Sequence, residues 1–497
     1  MAHVIWNGES RDVQPGTRLS QVLPRGAVET PCAGAGRCGK CRVRVQGQVS
    51  PPSPEEQAHL TREELAQGIR LACRTLVMGD CRVDLPGARG GDQIRTGGSM
   101  PDFPLAPAFR RWGAAVDIGT TTLAARLYGP DGRLAAEAGA PNPQASWGAD
   151  VISRIGAALQ GEGAALAASV RAGVAALLEE MAEKADVPVE QIDAAVVTGN
   201  TAMLYLLTET CPDALSHAPF QADRLFGEET AAGRLGLPCR DAAVYLPPCM
   251  SAFVGADITT ALLASGICNS PGTRMMADIG TNGEIALWAG GRLRCCSTAA
   301  GPAFEGAGIS MGMPGKDGAI DHVSLQGAKL CAHVLGDAPP AGICGSGIVD
   351  ALACLLETGD LDETGFLEDE EALLLPPVRL TQKDIRMVQL AKSAVCAGMR
   401  TLLHTAGIPM DQVEELAIAG GFGSYLDAGN AGRIGLIPPE LAPRVRVLGN
   451  AALSGASMLL LNRDFRPAAQ ALAAQAETVD LTSSEEFLAA YTEGMFF

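Results

Sequence analysis

The residues best equipped for chemistry fall into two sets. In the first, Cys32, Cys38 and Cys41 are separated by five and two residues, and Cys73 follows much later in Arg70-Leu-Ala-Cys-Arg-Thr-Leu76. Ala33, Gly34, Ala35, Gly36 and Gly39 fill the gaps, small enough for the backbone to wrap tightly and aim N–H groups inward. Three thiolates on such a loop and one distant thiolate suit a Cys₄-ligated [2Fe-2S] cluster, whose sulfurs accept those N–H bonds. Zinc or idle thiols are the rivals. Structural zinc sites usually take cysteines in two short-gap pairs, whereas Cys73 has no near neighbour except Cys81, itself read as a core residue of a strand. Arg37, Lys40, Arg42, Arg44 and Arg74 surround the loop, either as a solvated rim or as a docking face for an acidic redox partner.

The second set is a repeated turn. Ala114-Ala-Val-Asp117-Ile118-Gly119-Thr120-Thr121-Thr122 and Met275-Met-Ala-Asp278-Ile279-Gly280-Thr281-Asn282-Gly283 share an apolar run, an Asp at its end and a small polar turn, and each enters a second apolar run. Each predicts a strand, a tight turn and a returning strand. Turn N–H groups and hydroxyls suit phosphate oxygens, and Asp117 and Asp278 suit Mg²⁺, directly or through its waters. A lone Asp-Gly-Thr turn merely closes a hairpin, but here a second echo accompanies it. Val187-Pro188 to Gly199 aligns without a gap on Ile408-Pro409 to Gly420, so one α/β unit is present twice, the second copy about sixty residues longer.

These sets need elements to hold them. Residues 2–6 and 10–14 alternate as two strands around Asn7-Gly8, a strong hairpin signal. Thr17 to Leu23 predicts a short helix stopped by Pro24, and Pro51 to Gln67 holds two N-cap signals ahead of Cys73. Residues 87–112, glycine-rich and then proline-rich, read as a linker that lets the cysteine-bearing unit move. Beyond it, apolar spacing predicts helices over Leu166–Ala185 and Met387–His404, and Asn200-Thr-Ala-Met203 starts a helix whose N–H groups face the cleft. Ala299 to Met313 and Gly342 to Asp350 read as glycine-rich neighbours of a phosphate; Glu305 either orients a water or caps a helix. The chain thus divides at 1–86, 87–112, 113–272 and 273–497.

Composition bounds the rest. A chain of 497 residues predicts two or three domains, with aromatics at 4% and cores built from Ala, Leu, Val and Ile. Net charge of −18 argues against nucleic acid as partner, yet residues 1–90 carry +3, so the two ends of the chain meet different partners. No apolar run predicts a membrane span, and fifteen irregularly spaced cysteines without a secretory signal predict a reducing cytoplasm.

The paired Asp-Gly-Thr turns in a duplicated unit resemble the actin, sugar kinase and chaperone ATPase superfamily, an α/β, ribonuclease H-like fold. That resemblance implies that Asp117, Gly119, Thr120, Thr121 and Thr122 grip phosphates and Mg²⁺ of ATP together with Asp278, Gly280, Thr281, Asn282 and Gly283. It also implies that Gly420 and Gly421, in Ala-Gly-Gly-Phe-Gly423, lie against the adenosine. Residues 3–86 resemble [2Fe-2S] ferredoxins, an α+β, β-grasp fold, with the longer first gap of the adrenodoxin branch. The two modules in one chain, with Asn142-Pro-Gln144, Gly148-Ala-Asp150-Val-Ile-Ser-Arg154 and Gly301-Pro-Ala-Phe-Glu305, resemble the reductive activators of corrinoid-dependent enzymes. What this implies is ATP-dependent delivery of one electron from the cluster to the Co(II) form of a corrinoid protein, restoring Co(I). An upstream electron donor is implied as a second partner, and a homodimer is an assembly the resemblance allows. The alternatives are an ATPase-coupled donor to another low-potential enzyme and a nucleotide-sensing scaffold without turnover.

Overall fold

The computed structural model describes residues 1–497 except 7, 25–26, 29–31, 33, 86–96 and 328, and only the backbone of 424. The expected turn at Asn7 and the first part of the expected linker, 87–96, fall outside the described residues. Near the N-terminus, β1 (Ala2–Trp6), β2 (Glu9–Val13), β3 (Arg42–Val49), β4 (Ile69–Leu71) and β5 (Val77–Asp84) form one sheet in the order β2-β1-β5-β3-β4, with β1 and β5 parallel. Alternation along β1 buries Ala2, Val4 and Trp6 against Leu71, Val77 and Val83, and Cys81 lies in the same core. Three short helices cover this sheet, α1 (Leu19–Val22), α2 (Pro54–His59) and α3 (Arg62–Ala66). The last two each open on a capping box, Ser53 with Glu56 and Thr61 with Glu64.

The duplication read from the sequence is visible in two sheets of six strands. The first contains β6 (Trp112–Ile118), β7 (Thr122–Tyr128), β8 (Leu134–Pro141), β9 (Ile192–Gly199), β10 (Glu228–Ala231) and β11 (Ala243–Leu246), in the order β10-β11-β9-β6-β7-β8. The second starts with β12 (Thr273–Ile279), β13 (Gly283–Ala289) and β14 (Arg292–Thr298). It is then interrupted by a three-stranded and a two-stranded sheet, β15 (Ala319–Gln326), β16 (Lys329–Val334), β17 (Gly342–Ile343), β18 (Glu371–Leu375) and β19 (Val378–Thr381), which hold most of the longer copy's extra residues. It resumes with β20 (Val413–Ala419), β21 (Val445–Gly449) and β22 (Glu477–Thr478), giving β21-β20-β12-β13-β14-β22. Strand for strand, β6, β7, β8, β9 and β11 correspond to β12, β13, β14, β20 and β21. The aligned Val187 and Ile408 stretches each pass through a short 3₁₀ turn, Val189–Gln191 and Met410–Gln412, into the parallel partner of the Asp-bearing strand.

In the first half, α4 (Val151–Ala157) and α5 (Gly163–Lys184) cross back over the sheet before β9. The stretch Val151–Lys184 has the length and composition to cross a bilayer, but Leu166, Val170, Val174, Leu177 and Met181 along one face are buried in the core with Leu123, Ala125 and Leu127 of β7. Next come α6 (Thr201–Thr208) and α7 (Ala256–Ser265), and in the second half α8 (Gly345–Thr358) and α9 (Gln382–Ala406). A Thr381–Asp384 capping box starts α9, and left-handed Gly407 ends it. α10 (Ala428–Arg433) leads to α11 (Ala451–Leu461), which does not stay with its own half. Leu453, Ala456, Leu459 and Leu460 pack on Ala115, Ala194 and Val196 of the first sheet. Conversely, Ile258, Ala261 and Leu262 of α7 pack with Met276, Ala286 and Ala417 of the second.

Candidate functional site

Both Asp-bearing turns open on one cavity of about 380 Å³ between the two halves. Asp117 with Gly119 to Thr122 lines one wall, and Asp278 with Gly280, Thr281 and Asn282 lines the other. Gly420 and Gly421 close the end beside Phe422 and Tyr425. Gly420 has φ +94, and a Cβ on it would stand 2.8 Å from Asp278 Oδ1, so glycine is required where β20 ends against that carboxylate. Gly283 departs from the reading of the second turn. It starts β13, and a Cβ there would meet Thr298 Oγ1 at 2.8 Å and Val395 Cγ2 at 3.2 Å, so its smallness serves packing, and it is not among the residues lining the cavity.

A scaffold behind the first turn explains the sequence phrases that surround it. Asn142 Nδ2 donates to Gly119 O (2.8 Å), and Gln144 Nε2 donates to Leu166 O (3.0 Å). Arg154, fully buried, donates from Nη2 to Thr120 O (2.6 Å) and from Nε to Gly148 O (3.0 Å). Asn200 caps α6 and donates from Nδ2 to Thr120 Oγ1 (3.1 Å). Its counterpart in the other half, Asn450, caps α11 and donates to Asp117 Oδ2 (3.0 Å). A Gly-Asn pair ends a strand and starts a helix in both places, Gly199-Asn200 and Gly449-Asn450, a signal that points to Asn450 from sequence.

Three further acids stand with the two aspartates. Asp257 in the first turn of α7 and Glu284 beside Asp278 in the β12–β13 register both line the cavity. Glu305 Oε2 accepts from Thr121 Oγ1 (2.6 Å) and Thr281 Oγ1 (2.9 Å), bridging the two turns; it neither caps a helix nor stands apart. Loss of water raises Asp117 to about 6, with the Asn450 amide pulling it back. Loss of water and repulsion by Asp117 and Glu305 raise Asp278 to about 7, and loss of water with repulsion by Asp278 and Asp117 raises Asp257 to about 8. Burial, Asp257 and Asp278 push Glu284 well above the carboxylate range. Carboxylates that resist ionising together suit a cation that lets them do so. Mg²⁺ takes one or two carboxylates and keeps most of its waters, a demand that Asp117 and Asp278 can meet.

The four cysteines meet at the edge of the N-terminal unit as two pairs. Cys38 Sγ lies 3.3 Å from Cys32 Sγ, and Cys41 Sγ 3.3 Å from Cys73 Sγ. Within each pair one thiol is pushed down and the other up by the contact between them, Cys32 and Cys73 falling as Cys38 and Cys41 rise. Two pairs of thiols suit two irons with two thiolates each. Left-handed Gly34, Gly36 and Gly39 curl the loop, at φ +78, +73 and +64. Cys73 is fixed from behind by Glu56, which accepts from Arg70 Nε and Nη2 (both 2.8 Å), Leu71 N (3.1 Å) and Thr75 Oγ1 (3.0 Å). Lys40, from the rim of charges, turns toward the second half, where its Nζ donates to Gly312 O (3.2 Å) and Ile309 O (3.5 Å). The described end of the expected linker is also held: Ser99 N donates to Leu448 O, Ala106 N to Leu461 O and Ala108 N to Leu460 O.

Comparison with known proteins agrees with this arrangement. Residues 272–497 match the family described as the C-terminal domain of RACo, the ASKHA domain; residues 112–270 match the RACo middle region; and residues 4–78 match the 2Fe-2S iron-sulfur cluster binding domain. The chain is 34% identical over 423 residues to the corrinoid activation enzyme RamQ of Eubacterium limosum, covering 78% of this chain and 70% of that protein. It is 30% identical over 266 residues to the [Co(II) methylated amine-specific corrinoid protein] reductase of Methanosarcina barkeri, 49% of this chain and 48% of that one. The solved structure of a reductive activator for corrinoid, iron-sulfur protein superposes with a TM-score of 0.74 at 28% identity, covering 100% of this chain and 98% of that one.

Proposed function

The chain belongs to the RACo family of reductive activators, and we propose that it uses ATP to return a corrinoid protein from Co(II) to Co(I), one electron at a time, through a [2Fe-2S] cluster. The observation that carries this reading is the union, in one chain, of paired thiols on a glycine-rich loop with a two-turn carboxylate cleft. When bound, the cluster supplies a one-electron carrier near −400 mV, and Mg²⁺ neutralises the polyphosphate. Cys32, Cys38, Cys41 and Cys73 hold the cluster. Asp117 and Asp278 hold the metal directly or through waters, and Asp278 orients the attacking water. The hydroxyls and N–H groups of Thr120 to Thr122, Thr281 and Asn282 take phosphate oxygens, while Gly420 and Gly421 admit the adenosine against Phe422 and Tyr425.

Co(I) is harder to form than the reduced cluster, so the transfer runs uphill; each ~59 mV of deficit for one electron is about 1.4 kcal/mol. Closing the cleft on ATP offsets a deficit of a few kcal/mol only if the closed and open chains bind the Co(II) partner differently. The electron that leaves must be replaced by an upstream donor. Fifteen free cysteines support a reducing compartment such as the cytoplasm. The test is direct: anaerobic protein with a reductant and Mg·ATP should convert a Co(II) corrinoid protein to the Co(I) absorption spectrum. Asp278→Ala should abolish that conversion while keeping the visible spectrum of the cluster. Conversion that proceeds equally without ATP would overturn the reading.

A further inference from the structure

We propose that the loop from Glu305 to Met313 is a seat on which Lys40 parks the cysteine loop, and that Mg·ATP unseats it. The idea rests on the placement of phosphates at the two turns. Lys40 stands between Cys38 and Cys41 in sequence, and its ammonium donates to the Ile309 and Gly312 carbonyls of the seat. The other end of the same loop is Glu305, which occupies the Thr121 and Thr281 hydroxyls that a phosphate needs. Between these ends the loop is folded tightly on itself. A Cβ on Gly306 would lie 2.5 Å from Met313 N, and one on Gly312 would lie 2.2 Å from Gly306 O, so Gly306 cannot shift without carrying Gly312. The block is held at Ser310, which donates through N and Oγ to Asp384 Oδ1 (2.7 and 3.1 Å), and at β17, where Met313 N donates to Ile343 O (3.0 Å) and Met311 O accepts from Ile343 N (2.9 Å).

A phosphate at the turns competes for both hydroxyls and repels the Glu305 carboxylate. Glu305 leaves, Gly306 follows, the Met313 N–H bond to Ile343 O gives, and the Gly312 carbonyl in the same peptide plane turns away from Lys40. While parked, the Cys38–Cys41 segment faces the ATPase; unseated, it faces a partner. Electron delivery thereby becomes conditional on nucleotide.

Hydrogen exchange of residues 36–44, remote from the nucleotide, reads the seat in the cluster-loaded full chain. Saturating Mg·AMPPNP should speed exchange there several-fold. Lys40→Met should exchange fast from the start and gain nothing from nucleotide, whereas Lys40→Arg, which keeps a cationic donor, should respond as wild type. Coupling between two equilibria is reciprocal, so the broken seat should also tighten Mg·AMPPNP binding, by about fivefold. Unchanged or slower exchange in wild type with Mg·AMPPNP demonstrably bound overturns the seat and leaves the nucleotide reading standing; absence of Mg·AMPPNP binding overturns both. The wild-type arm decides even if Lys40→Met loses its cluster.

Discussion

Arg154 carries a charge into the interior, and among the described residues no carboxylate lies within ion-pair distance of it. Its guanidinium meets the Thr120 and Gly148 carbonyls and, at 3.5 Å each, Gln144 Oε1 and Met203 Sδ. Burial lowers it to about 10, against the pull of Asp150 and Glu305, so it stays charged at neutral pH. A buried cation without a counter-ion is costly. The cost is offset if the cation fixes the first turn and lends positive potential to the phosphates beyond it. Arg154→Met should therefore weaken Mg·ATP binding about tenfold to a hundredfold, the worth of a charged hydrogen bond of about 1.5–3 kcal/mol. Arg154→Lys should recover part of the loss, and the rate at saturating ATP should change little. Calorimetric titration checks it; equal affinity in wild type and Arg154→Met would reduce the residue to a packing role.

At the scale of elements, α2 exists to deliver Glu56. Burial would raise this carboxylate, but Arg70, the Ser53 N–H and the Leu71 N–H hold it below the ordinary value, so it stays ionised and pins the segment that carries Cys73. Glu56→Gln leaves Arg70 buried without a counter-charge, about 3–5 kcal/mol against a small unit whose whole stability is of that order. The visible bands of the cluster should be lost on purification while Mg·ATP still binds, no more weakly than to wild type. Retention of the cluster would show that the iron, not the ion pair, holds Cys73. Much of this element scale was legible in the sequence, because its signals are local. The capping boxes, the Gly407 stop and the Pro188 and Pro409 turns each lie within a few residues of the boundary they set. What lay beyond reading was chemistry assembled at a distance. Glu284 sits inside an apolar returning strand, and only the β12–β13 register brings it beside Asp278. Asp257 reaches the cleft from a helix far along the chain from Asp117, whereas Asn450 was open to reading through the repeated Gly-Asn pair. Lys40 looks like any surface cation until the second half is placed against it.

For the whole molecule, the telling feature is how α7 and α11 straddle the halves. α11 follows the strands of the second half and packs on the first sheet, and α7 beside it touches both sheets, so the boundary between halves in sequence is not a boundary in space. The two helices cross at Gly455, where a Cβ would fall 1.8 Å from Thr260 O and 2.8 Å from Thr260 Cα. Backbone contact this close puts no side chain between the helices at Gly455, which suits a joint able to slide. α11 is also the element to which Ala106 and Ala108 are tied, so movement at the joint is passed to the segment leading back to the cysteine unit. Gly455→Ala must push the helices apart. Overpacking of this kind costs about 1–3 kcal/mol, a fall of several degrees in Tm at most for a chain of this size. The effect on coupling should be larger: ATP-driven Co(II) reduction should drop at least tenfold, while the cluster still accepts electrons from a chemical reductant at the wild-type rate. Should the variant reduce Co(II) normally despite a lowered Tm, closure does not run through this crossing, and the halves must move about some other contact.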